Sequence, residues 1–99
     1  MSLLRASVVF LLLPGLAWAD EVENCAGLGR VAQVIMALRQ NETPLSEVMA
    51  RTETEFLREI VLLAYAQPLL LDMEDKRGAA RMYGEMFELS CYQTGWGKE

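Results

Sequence analysis

Histidine is absent from this sequence of 99 residues, and cysteine occurs only twice. Without histidine there is no Ser-His or Cys-His nucleophile pair, no histidine-rich zinc site and no haem attachment through Cys-x-x-Cys-His. The two cysteines, Cys25 and Cys91, do not form the Cys-x-x-Cys motif of redox proteins. If both are oxidised, thiolate ligands are lost as well, so we expect no metal and no cofactor.

A hydrophobic run long enough to span a membrane is also missing. The run Ala6–Leu13 has eight residues, whereas a spanning helix needs about 20. It follows the basic Arg5, a Pro-Gly pair comes next, and small residues then occupy Ala17-x-Ala19. A basic start, a short apolar run and an A-x-A ending are typical of a secretory signal peptide. We predict a signal peptide over residues 1–19, cleaved after Ala19, and a periplasmic or secreted protein with no stable membrane insertion.

The sequence leaves two alternative roles for this first segment. A retained membrane anchor is disfavoured by the short run and by the Pro-Gly break. A lipid anchor on Cys25 would require small residues before that cysteine, where the sequence has Glu23 and Asn24. The signal peptide therefore remains the preferred interpretation.

Basic residues are few in the predicted mature chain. Residues 20–99 keep 8 of the 9 basic residues, because Arg5 is removed, and all 14 acidic ones, which gives a net charge of −6. This balance disfavours binding to nucleic acid, which requires Lys and Arg to neutralise phosphates, and we expect none. The remaining 80 residues (99 minus 19) form one small domain with a thin core, and such domains often need a covalent cross-link.

The two cysteines can provide that cross-link. Export leads to an oxidising compartment and the number of cysteines is even, so we predict a disulfide between Cys25 and Cys91. The bond would close a loop of 66 positions (91 minus 25), which the chain-entropy model values at roughly 4 kcal/mol. Two unpaired thiols, a redox pair or an intermolecular bridge remain as alternatives.

Apolar residues recur at three- and four-residue spacing through most of the mature chain, which predicts helices. The fold class is therefore all-α, a small antiparallel bundle of three to four helices. Such a bundle brings the start of the first helix and the end of the last one together, as the disulfide requires. The predicted helices are 24–40, a short one at 44–51, a third from the capping pattern Thr52/Glu55 to Pro68, and a last one from the cap Asp72 to Tyr92; residues 93–99 are predicted to be a flexible tail.

The third and last helices carry the widest apolar faces. The third is apolar around most of its circumference, which predicts a central, buried helix. The last has a broad apolar face that includes Cys91. The residues of the third helix are Phe56, Leu57, Ile60, Val61, Leu63 and Ala64, and those of the last are Ala79, Ala80, Met82, Tyr83, Met86, Phe87, Ser90 and Cys91.

Five features of the mature chain form a recognisable pattern: Cys25 ahead of the first helix, IMALRQ at 35–40, PLSEVM at 44–49, IVLLAYAQP at 60–68 and FELSCY at 87–92. Together they resemble a loose group of small exported, all-helical, two-cysteine proteins of bacteria and their prophages. The group has no assigned activity. The resemblance therefore implies export, helices and the cysteine pair, and it implies no catalytic residue.

These observations favour a non-enzymatic interaction protein with an unknown protein partner. Its candidate contact residues are the run Leu69, Leu70 and Leu71, which is either buried or an exposed patch, and the aromatic residues Tyr92 and Trp96, which either contact a partner or fold back over the bundle. One alternative is a small carboxylate-dependent hydrolase. Its candidate pairs, one turn apart on a helix, are Glu55 with Glu59 and Glu85 with Glu88.

A second alternative is a carrier of a soft metal ion. Thioether sulfurs are ligands of Cu(I), and Met73, Met82 and Met86 occur within one predicted helix. Methionines at helical spacing are far more often part of a core. The metal carrier is therefore the weakest of the three hypotheses.

Overall fold

A computed structural model describes residues 24–95 of the chain. Within this range the regular secondary structure consists of four helices and no strand, so the all-α class and the bundle of three to four helices are confirmed. The predicted signal peptide, residues 1–19, lies outside the described residues. The helices are α1 Cys25–Gln40, α2 Leu45–Ala50, α3 Glu55–Tyr65 and α4 Met73–Thr94.

The disulfide is present and joins the two ends of the fold. Cys25 opens α1 and Cys91 lies in the last turn of α4, with their Cα atoms 5.4 Å apart. The two helices therefore run antiparallel, as predicted. At their other ends the Lys76 ammonium donates a hydrogen bond to the Gln40 carbonyl oxygen over 2.6 Å.

Between these two fixed ends the backbones of α1 and α4 approach closely at two glycines. A Cβ atom added at Gly84 would lie 2.6 Å from the carbonyl oxygen of Gly29 and 2.9 Å from the Cβ of Gln33. No side chain fits in that space, because real Cβ atoms essentially never approach another heavy atom within 3.0 Å. The paired glycines thus allow α4 to lie directly against α1.

The centre of the fold is α1, whereas the sequence pattern had indicated α3. Both α3 and α4 pack on α1, and no Cα atom of α3 comes within 8 Å of one of α4. As a result α3 buries one face only, formed by Leu57, Ile60, Val61 and Ala64, and the predicted core residues Phe56 and Leu63 are exposed. The prediction of a fully buried α3 is wrong because none of the other three helices within residues 24–95 covers its second apolar face.

Local capping differs from the prediction at α2 and α3. Pro44 is the N-cap of α2 rather than its first helical residue. The cap of α3 is Thr54, whose hydroxyl accepts a hydrogen bond from the Leu57 amide over 3.2 Å. Thr52, the predicted cap, is buried and donates to the Val48 carbonyl oxygen over 2.8 Å. Its hydroxyl is engaged with α2, so the helix begins two residues later than its pattern indicates.

The last helix is two residues longer than predicted. It ends at Thr94 with Gly95 as the C-cap, in the left-handed conformation with φ of 80°. Glycine adopts this conformation without a steric cost and commonly terminates helices. No helix in the described range is sufficiently long and apolar to span a bilayer.

Candidate functional site

An apolar groove of about 630 Å³ runs along one side of α4. Its floor is the C-terminal half of α1, one wall is α4, and the other wall is the segment that follows α3. We call it the apolar groove. Its lining residues are Met36, Gln40, Gln67, Pro68, Leu70, Ala79, Met82, Tyr83, Glu85, Met86 and Leu89.

The groove exists because the apolar face of α4 is wider than α1 can cover. Ala80, Gly84 and Cys91 are buried, whereas Met82, Met86 and Leu89 are 67%, 55% and 56% exposed. The predicted broad face is therefore divided into a buried part and an exposed part. Large apolar side chains clustered on an exposed surface are typical of interaction sites.

The wall opposite α4 is held by Gln40, a buried residue at the end of α1. Its amide nitrogen donates to the Pro68 carbonyl oxygen over 3.0 Å, and its amide oxygen accepts from the Leu70 amide over 2.9 Å. The adjacent Arg39 guanidinium donates two further bonds, of 2.7 and 3.0 Å, to the Gln67 carbonyl oxygen. The last turn of α1 thereby fixes the backbone of this wall.

Sequence reasoning did not identify Gln40 as important. The available signal was its position four residues after Met36, in line with the buried stripe of α1. A polar residue continuing an apolar stripe is buried only if its hydrogen bonds are satisfied. Its partners, Pro68 and Leu70, follow about 30 positions later, and no local pattern connects them to it.

Replacing Gln40 by leucine is expected to loosen this wall. The substitution leaves the Leu70 amide and the Pro68 carbonyl without their partner, which costs about 1–2 kcal/mol of unfolding free energy. We also expect faster amide hydrogen exchange at Leu70 than in the wild type, measured by NMR together with urea denaturation. Gln67→Leu is the control, since its side chain makes only a local bond to the Leu63 carbonyl oxygen. Equal exchange at Leu70 in both variants would contradict this role of Gln40.

Tyr83 connects α3 and α4, which have no Cα atoms within 8 Å of each other. Its hydroxyl donates to the Ile60 carbonyl oxygen of α3 over 2.6 Å, and its ring packs edge-to-face on Phe87 with centroids 5.0 Å apart. Burial raises the pKa of the Tyr83 phenol well above its usual value of 10.0. The hydroxyl therefore stays protonated and serves as a permanent donor that sets the distance between α3 and α4.

The described members of the predicted contact residues lie in different surroundings. In the leucine run, Leu70 lines the apolar groove, while Leu69 and Leu71 are exposed outside it, Leu71 to 97%. The run is thus neither a buried crossing nor a single patch. Tyr92 is exposed, and its hydroxyl donates to a Glu88 carboxylate oxygen over 3.3 Å. Trp96 lies outside the described residues.

The carboxylate pairs proposed for a hydrolase are not arranged across a cleft. Among the described residues, Glu85 is the only carboxylate that lines the apolar groove. Glu88 does not line it and accepts the bond from Tyr92, and the exposed Glu55 and Glu59 line neither described groove. A two-carboxylate mechanism requires both groups beside one bond of the substrate, and the candidate pairs do not meet that requirement.

The three methionines proposed as soft-metal ligands do not converge either. Met82 and Met86 line the apolar groove, but Met73 lines a second groove, between α1 and α4. Among residues 24–95 there is also no group of three or more cysteine, aspartate or glutamate side chains that could hold a metal ion. The geometry therefore does not support the copper-carrier hypothesis.

This second groove, of about 460 Å³, is lined by four of the nine basic residues of the chain. We call it the basic groove, because its charged lining residues in the described part of the chain are Arg30, Lys76, Arg77 and Arg81, with no carboxylate among them. The remaining lining residues are Gln33, Val34, Ala37, Gln40, Asn41, Met73 and Ala80, so that Gln40 is the one residue common to both grooves.

The chain matches no family model, no curated protein and no solved structure in the comparisons made.

Proposed function

We propose that the protein is an exported, non-enzymatic binding scaffold that holds a helical segment of a partner protein in the apolar groove. The observation that carries this proposal is the row formed by Met82, Met86 and Leu89, all more than half exposed along one wall. Flexible thioether side chains are common on surfaces that bind apolar protein segments, since they adapt to different shapes. A groove between helices suits an amphipathic helix that inserts its apolar face.

Export to the periplasm or the extracellular space is part of the proposal. The disulfide supports it, because such bonds persist in oxidising compartments and are rare in the cytosol. The N-terminal sequence pattern and the resemblance to small exported two-cysteine proteins support it independently. On this proposal the cross-link replaces part of the core that so small a domain lacks.

The experiment compares two double variants as baits for proteins from the producing cells. In Met82→Gln/Met86→Gln the apolar wall becomes polar, while Leu45→Gln/Leu62→Gln changes two exposed apolar residues outside both grooves. We expect a partner that binds the wild type and the control but binds the groove variant at least tenfold more weakly when tested with purified proteins. Each such loss corresponds to about 1.4 kcal/mol.

Both variants must first show wild-type helicity by circular dichroism. A partner that binds the groove variant and the wild type equally would show that its binding site is not this groove. Repeated capture of no partner by the wild type would count against the scaffold itself.

A further inference from the structure

The basic groove is a separate surface whose composition differs from that of the whole chain. The sequence has 9 basic against 14 acidic residues, with a formal net charge of −5. Nevertheless four of the nine basic residues line one groove of about 460 Å³. The carboxylates of the first turn of α4, Glu74 and Asp75, are not among the lining residues. The charged side chains among the described lining residues are therefore all cationic, although the chain as a whole is acidic.

Two of these cations, Arg77 and Arg81, lie one helical turn apart on the surface of α4. Arg77 and Arg81 are exposed and spaced i,i+4, an arrangement in which like charges destabilise a helix by a few tenths of a kcal/mol. Neither guanidinium forms a hydrogen bond or an ion pair within the described part of the chain. Their donors are thus available to an anionic group, and arginine can bind a carboxylate with two parallel hydrogen bonds.

The other parts of the groove indicate what kind of anion fits. Lys76 is held at one end by its bond to the Gln40 carbonyl oxygen. Val34 on α1 and Met73 on α4 are apolar lining residues that are exposed to solvent. A small inorganic anion would satisfy the arginines and leave these apolar side chains uncovered. A ligand that covers the whole groove needs carboxylates together with an apolar side chain.

We infer that the basic groove binds an acidic peptide segment of a partner, with its carboxylates on Arg77 and Arg81 and an apolar side chain against Val34 and Met73. This inference goes beyond the scaffold function and does not depend on it, since the two grooves are lined by different residues apart from Gln40. Charge complementarity selects the occupant, and electrostatic attraction would also speed its association with the groove.

The direct test measures binding of a fluorescent hexapeptide, acetyl-Glu-Leu-Glu-Glu-Leu-Glu, to the full chain by fluorescence anisotropy. Two other probes separate the contribution of the apolar side chains from that of the negative charge. They are the same peptide with glycine in place of leucine, and inorganic phosphate as an unlabelled competitor. The groove variant is Arg77→Gln/Arg81→Gln. Its matched control is Arg51→Gln/Arg58→Gln, which changes the net charge by the same amount at two described residues that do not line the basic groove.

We expect the leucine-containing peptide to bind more tightly than its glycine analogue, and phosphate to compete weakly. The groove variant should lose about tenfold in affinity, because two charge-assisted hydrogen bonds are removed, and the control should lose less than twofold. NMR shifts on binding should include Val34 and Met73. Equal losses in both variants would show that only net charge matters, and equal binding of both peptides, or an absence of binding, would likewise overturn the inference.

Discussion

Replacing Gly84 by alanine is expected to lower the unfolding free energy by about 3 kcal/mol, the upper end of the usual cost of overpacking. The new methyl group would stand 2.6 Å from the Gly29 carbonyl oxygen, which belongs to helical backbone and cannot rotate away. The two helices must therefore move apart along the contact on which the antiparallel pair depends. Urea denaturation at constant pH, with the disulfide intact, measures the change.

Gly78 provides the matched control in the same helix. A Cβ added there meets no atom within 4 Å, so the only effect of Gly78→Ala is the higher helix propensity of alanine. That variant should gain about 0.5–1 kcal/mol of stability. The same substitution thus has opposite signs at two positions six residues apart.

Gly29→Ala should fall between these two. The atoms nearest to its Cβ are a carboxylate oxygen of Glu88 at 2.9 Å and the Glu88 Cβ at 3.0 Å, and the Gly84 carbonyl oxygen follows at 3.1 Å. A flexible carboxylate can move where backbone cannot, so the cost is smaller than at Gly84. If Gly84→Ala proved as stable as Gly78→Ala, the close contact between α1 and α4 would not exist in solution.

The order of the helices and their covalent link could be predicted from the sequence because both are encoded locally. The apolar stripes of α1 and α4 follow helical periodicity. Two cysteines that follow a predicted export signal indicate a disulfide. From the sequence alone, Gly78 and Gly84 of α4 have the same expected effect on the helix. Only the structure shows that Gly84 lies in the helix contact and that Gly78 faces open space.

The choice of the central helix could not be predicted from apolar periodicity. The apolar face of α3 is wider than that of α1, yet α1 lies at the centre because α4 is linked to it at both ends. Apolar periodicity indicates which residues of a helix are suited to burial. The helices that pack against it determine which of those residues are buried. For this reason Leu63 and Met86, counted as core residues from the pattern, are exposed instead.

The two grooves result from the same three-dimensional pairing. Arg30 precedes Arg77 by about 47 positions. The net charge of the chain does not indicate that these two side chains lie close together. The antiparallel arrangement places them in one groove. The apolar groove likewise requires that Gln40 hold the segment after α3, a long-range hydrogen bond without a local sequence signal.

Removal of the Cys25–Cys91 bond is expected to have the largest effect of all. The bond closes a loop of 66 positions, and on the chain-entropy model its loss lowers stability by about 4 kcal/mol. Small domains unfold with only about 5–15 kcal/mol, so a large part of the total would be lost. For a domain of this size, that amounts to a decrease in Tm of roughly 15–30 °C.

The measurement is thermal unfolding of the wild type with and without a reductant, beside the variant Cys25→Ala/Cys91→Ala. The double variant should melt near the reduced wild type and should not respond to the reductant. Both cysteines are buried, so alanine leaves small cavities, and its Tm includes that cost in addition to the lost cross-link. A wild type whose Tm is unchanged by complete reduction would contradict the prediction, because α1 and α4 would then be held by the glycine contact and the Lys76–Gln40 bond alone.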